Sequence, residues 1–96
     1  MNIEMLKYQI NRLTELLACP DVDVLWSSYD NPKQVINEIK SIENNILNGD
    51  IMSIVKMKFL LSPAGELQEI SISSGWGDEF LEIAYAIETA LGIQTD

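Results

Sequence analysis

The chain is 96 residues long, with fifteen Asp/Glu against six Lys/Arg, no His, and a formal net charge of −9. That length fits one domain with a modest core. Without histidine there is no Ser–His–Asp or Cys–His triad, no histidine metal ligand and no histidine pH switch, and the negative charge disfavours nucleic acid and anionic membranes as partners, both of which are bound by neutralising phosphates.

Apolar periodicity predicts a first helix over residues 2–18, with Ile3, Leu6, Ile10, Leu13 and Leu17 at alternating three- and four-residue steps. Pro20 ends it, because the residue before a proline is pushed out of the helical region. Residues 19–31 follow two templates. Val22, Val24 and Trp26 alternate as in a strand, whereas Val22, Leu25, Trp26 and Tyr29 are spaced as on a helical face. The favoured expectation is a short helix or loop, so that 21–29 form a short third element at most.

A second helix is expected over 32–47. Asn31 is a good N-cap, Pro32 suits the first helical position, and Gln34 stands where a capping-box partner reaches back. Val35, Ile39, Ile42 and Ile46 form its stripe, Ile36 widens it, and Asn48-Gly49 stops it.

Residues 51–61 and 66–73 alternate as strands around a Ser62-Pro63-Ala64-Gly65 turn, which predicts a β-hairpin. In that register Leu60 faces Leu67, Met57 faces Ile70, Val55 faces Ile72, and Lys58 faces Glu69 as an opposite-charge pair. Phe59 opposite Gln68 is the one poor match. Val55, Met57, Phe59, Ile70 and Ile72 are then the core face, and Lys56, Lys58, Glu69, Ser71 and Ser73 the solvent face. After Gly75-Trp76-Gly77 a last helix is expected over 78–91, with Phe80, Ile83, Ala84, Ile87 and Leu91 as its stripe, Asp78, Glu79 and Glu82 near its positive end, and Gly92 as its cap.

The expected fold class is therefore α+β: one small domain over 1–96, ordered helix–helix–β-hairpin–helix, with helices covering the core face of the hairpin. A two-stranded hairpin leaves both edges open, and an open edge calls for a cover, a charge or a partner strand. Either residues 22–26 supply a third strand or a second copy of the chain pairs with the edge, which makes a homodimer the alternative expectation. The N-terminal sequence lacks a basic, continuously apolar signal, no run approaches a membrane span, and the single Cys19 forms no internal disulfide. A cytoplasmic location fits all three.

The segment Gly75-Trp76-Gly77-Asp78-Glu79-Phe80 touches the Gly-Gly-Asp-Glu-Phe signature of diguanylate cyclases. That match fails: those domains are far longer, their motif sits on a hairpin turn whereas here Asp-Glu opens a helix, and Trp76 stands where the second glycine must let backbone approach the nucleotide. Trp76 reads either as a cap over the end of the core or as an exposed anchor for a partner. Asp21, Asp23 and Asp30 match no cation-binding loop. Cys19, at a helix C-terminus beside Asp21, is disfavoured as a thiolate, and Ser27 and Ser28 have no general base to activate them. Trp26 and Tyr29 read as core aromatics.

Residues 63–96 hold seven carboxylates and no Lys or Arg. The expected function is accordingly non-enzymatic, with no cofactor and no metal: a protein–protein interaction module whose Trp76, Asp78, Glu79 and Glu82 dock a basic partner. One concrete form is an acidic inhibitor, analogous in size and charge to the bacterial immunity proteins that neutralise nuclease toxins. The alternatives are an obligate homodimer of structural or regulatory role, and a small metal-dependent or hydrolytic enzyme.

Overall fold

The computed structural model describes residues 1–25 and 27–92. The expectation for Trp26 as a core aromatic falls outside them, as does Asp96 among the carboxylates. The described residues form five helices: α1 (Ile3–Leu17), α2 (Pro32–Leu47), α3 (Ile51–Leu61), α4 (Glu66–Ser74) and α5 (Gly77–Leu91).

Three of these lie where the apolar stripes place them. In α1 Leu6, Ile10, Leu13 and Leu17 are fully buried, while Ile3 at the end of the stripe is half exposed. The Asn2 side chain caps α1 by accepting the Met5 N–H at 3.1 Å. In α2 Val35, Ile39, Ile42 and Ile46 are buried. Asn31 Oδ1 accepts the Gln34 N–H at 3.0 Å, and Gln34 Oε1 reaches back to the Asp30 N–H at 2.8 Å, one residue before the position a capping box uses. In α5 all five expected positions, Phe80, Ile83, Ala84, Ile87 and Leu91, are buried.

The β-hairpin does not form, and the fold is all-helical rather than α+β: residues 51–61 and 66–74 are helices α3 and α4, with no strand among the described residues. The buried positions of α3 are Ser53, Met57, Leu60 and Leu61, a helical spacing. Val55 and Phe59, expected beside Met57 on one strand face, are 55% and 62% exposed, whereas Met57 is at 0%. In α4 Leu67, Ile70 and Ser71 are buried and Ile72 is exposed, so Ser71 and Ile72 have exchanged the sides a strand would give them.

Local chemistry explains the outcome. Asp50 caps α3 doubly, accepting the Met52 N–H at 3.0 Å and the Ser53 hydroxyl at 2.9 Å. The chain enters α3 through a Schellman turn, in which the Gly49 N–H donates to Ile46 O at 3.0 Å and the Asp50 N–H to Asn45 O at 3.0 Å, with Gly49 at φ 91°. Glu66 and Glu69 lie in the first turn of α4, where the helix dipole favours them. The Ser-Pro-Ala-Gly segment turns between two helices, not two strands. At Gly65 a Cβ would lie within 2.7 Å of the Phe59 carbonyl oxygen, so only glycine lets α4 start this close to the end of α3.

Helix α1 packs between α5 and α2, α3 lies against α2, and α4 bridges α3 and α5. Residues 18–25 and 27–31 cross the molecule as turns, bends and irregular chain, and neither a short helix nor a strand forms among them. This connector is pinned at both ends of α4: the Asp23 N–H donates to Ser74 Oγ at 2.9 Å, and the Ser28 N–H and hydroxyl donate to the two Glu66 carboxylate oxygens at 2.8 and 2.6 Å. With no sheet edge among the described residues, the edge-pairing argument for a second copy falls. No helix among them is long and apolar enough to cross a membrane.

Two substitutions separate the helical from the extended arrangement of 51–61. Met57→Ala is expected to cost about 2–5 kcal/mol by opening a core cavity, and Val55→Ala to change stability by no more than about 0.5 kcal/mol, both read by urea unfolding. Comparable losses at the two positions would mean they share a buried face. Gly65→Ala is expected to destabilise by about 1–3 kcal/mol, because the added methyl meets backbone oxygen that has no rotamer to escape into.

Candidate functional site

The residues singled out for docking sit at the corner between α4 and α5. A second Schellman turn builds it: the Gly75 N–H donates to Ile72 O at 3.2 Å and the Trp76 N–H to Ser71 O at 2.9 Å, with Gly75 at φ 88°. Trp76 is thereby delivered to the N-cap of α5. It is half-buried against the core, and its ring meets Phe80 edge-on at 6.5 Å and 62°. Its indole N–H is enclosed and reaches no acceptor among the described residues.

Asp78, Glu79 and Glu82 are all exposed. Arg12, projecting from α1, is 3.3 Å from the Glu79 carboxylate and 3.8 Å from that of Glu82. Gln9 Oε1 accepts from the same guanidinium at 3.0 Å, which fixes where it points. Exposed ion pairs of this kind are worth about 0–1 kcal/mol, so the contact does little for stability. Its effect is to hold two carboxylates in place and offset part of their charge. Asp78 has no such partner among the described residues. The structure therefore brings Glu79 and Glu82 together around Arg12 and sets Trp76 into the corner beneath the first turn.

Sequence reasoning missed two neighbours of this group. Leu81 and Tyr85, 54% and 74% exposed, share the outer side of α5 with Asp78 and Glu82. The signal was present as the steps 78–81–85 and 78–82–85 opposite the apolar stripe.

A second region was also missed, because it consists of residues assigned to the hairpin. Between α2 and α3 runs a groove of about 680 Å³. Ile42 and Leu60 line it from the core, Met52, Val55 and Phe59 expose apolar surface along it, and Glu38, Glu66 and Lys56 contribute charge. Tyr29 reaches its wall from the connector and donates its hydroxyl to Glu38. Burial above all, then the bond to Glu38 and the negative charges of Glu38 and Glu66, pushes the Tyr29 phenol well above its ordinary pKa of 10.0.

The remaining candidates have local structural roles. The Asp23 side chain accepts the Leu25 N–H at 2.9 Å in an Asx turn. No group of three or more His, Cys, Asp or Glu side chains is placed to hold a metal ion among the described residues. Cys19 is exposed, with its Sγ 3.5 Å from Glu15 O. Ser27 and Ser28 spend their hydroxyls on Val24 O and Glu66. No protein-family model, curated protein or solved structure matches the chain.

Tyr29 offers a check on the groove wall. The folded state holds its proton more tightly than the unfolded chain does. Its contribution to stability is therefore intact below pH about 10 and is lost as pH rises further. Tyr29→Phe is expected to lose less stability than the wild type between pH about 10 and about 12, measured by urea unfolding. Equal losses would show that the phenol ionises as freely in the folded protein as in the unfolded one.

Proposed function

We propose that this chain is a non-enzymatic protein-binding module that docks a basic partner through the outer side of α5. One observation carries the reading. Exposed Leu81 and Tyr85 share the outer side of α5 with the exposed carboxylates Asp78 and Glu82, exposed Glu79 lies on the flank toward Arg12, and neither α4 nor α5 contains a single Lys or Arg. Apolar and aromatic contact area ringed by charge of one sign is what a specific interface uses, the area giving affinity and the charge giving partner choice and association rate.

The Arg12 contact supports the same reading. It gathers the Glu79 and Glu82 carboxylates around one guanidinium, so a single basic side chain in its place meets both. A basic side chain of the partner then competes with Arg12 for the two carboxylates and finds Asp78 open beside them. Trp76 acts from below, holding the start of α5 in the corner that presents these groups. An acidic inhibitor of a basic enzyme, of the immunity type, is the form of this function that the charge fits best.

The test is capture of a basic protein from the source organism at low ionic strength, beginning with the product of the adjacent coding region. Binding is expected to weaken steeply with added salt. Glu79→Lys with Glu82→Lys is expected to abolish it, whereas Arg12→Ala, which releases both carboxylates, is expected to speed association. Salt-independent binding, or binding untouched by the double reversal, would place the interface elsewhere.

A further inference from the structure

We infer that the groove between α2 and α3 is the interface for a second copy of this chain, on a surface distinct from the acidic side of α5. Four large apolar residues in one short helix, Ile51, Met52, Val55 and Phe59, are 74%, 64%, 55% and 62% exposed. Met52, Val55 and Phe59 all line the groove. Apolar surface concentrated in this way marks an interaction site.

Charge identifies the occupant. Residues 30–62, which comprise α2, α3 and their flanks, carry four carboxylates (Asp30, Glu38, Glu43, Asp50) and four lysines (Lys33, Lys40, Lys56, Lys58). This part of an otherwise strongly acidic chain is neutral. With Glu66, which lines the groove from α4, the groove itself holds two carboxylates and one lysine, a far weaker field for a basic partner than that of α5. A second copy finds a surface it approaches with little like-charge repulsion, while the acidic sides stay in solvent.

The charges lining the groove are also self-complementary. Glu38 and Glu66 occur there together with Lys56. In a two-fold pairing each contact occurs twice, so one contact between Lys56 of one copy and a groove carboxylate of the other gives two ion pairs flanking the packed apolar residues. A stable pair buries about 800 Å² on each partner, about a seventh of the 5839 Å² this chain exposes.

Sedimentation velocity from micromolar to millimolar protein tests the inference on the full chain. The wild type is expected to move from 10.8 kDa to twice that mass as concentration rises. Phe59→Ser with Val55→Ser, both at exposed positions, is expected to raise the dissociation constant at least about tenfold with an unchanged helical circular dichroism spectrum. Lys56→Glu is expected to weaken the pair as well. Glu79→Lys with Glu82→Lys should leave it intact, so loss of basic-partner binding and loss of the dimer are read separately. A wild type that keeps the 10.8 kDa mass throughout overturns the inference, as does a Phe59→Ser/Val55→Ser variant that dimerises as tightly as the wild type. A monomeric wild type whose capture of a basic protein fails in that variant overturns it too, and assigns the groove to the partner.

Discussion

The first and last helices share one apolar seam, and the other elements are placed around it. Leu6, Ile10, Leu13 and Leu17 of α1 and Phe80, Ile83 and Ile87 of α5 are all completely buried. The Asn2 N–H donates to Ala90 O at 2.8 Å at one end, and Arg12 meets Glu79 and Glu82 at the other, so the two helices run antiparallel. Helix α2 covers the far side of α1, α3 lies against α2, and the short α4 closes the path back to α5. Burying this seam requires the chain to reverse direction in very little space. Gly49 and Gly75 supply the left-handed residues of two such reversals, and Gly65 supplies the space for a third.

The same arrangement sorts the charge. The stretch 30–62, which holds α2 and α3, is neutral and presents exposed apolar residues, and the pair α4–α5 presents carboxylates with no cation of its own. Arg12 is the exception the packing introduces: it comes from α1 and lies across the acidic first turns of α5. Two kinds of surface thus lie on one small framework.

Helices α1, α2 and α5 were legible because each has a single narrow stripe and a chemical start or stop: Pro20, Asn31-Pro32 and Gly92. Helix α3 was not, because Ile51–Leu61 is apolar on nearly every side and fits the two-residue and the 3.6-residue periods equally. Two signals argued for the helix all the same. Eleven residues is about twice the usual strand length, and Asp50 with Ser53 forms a cap. Cross-strand matching of Leu60 with Leu67 and Met57 with Ile70 misled because residues that share a core match in hydrophobicity whatever their secondary structure.

Sequence by itself determined three helices with their buried faces, and the concentration of negative charge after residue 62. Each of these is a local property, set by side-chain spacing, capping groups and composition. Tertiary structure decided the state of 51–74, the lodging of Trp76 edge-on to Phe80, the pairing of Glu79 and Glu82 with Arg12, and the groove whose lining includes Tyr29, Glu38, Phe59 and Glu66. Those depend on which faces meet across α1, α2 and α5. A segment apolar all round takes whichever structure buries most of it against surfaces formed elsewhere in the chain, and that choice is invisible within the segment.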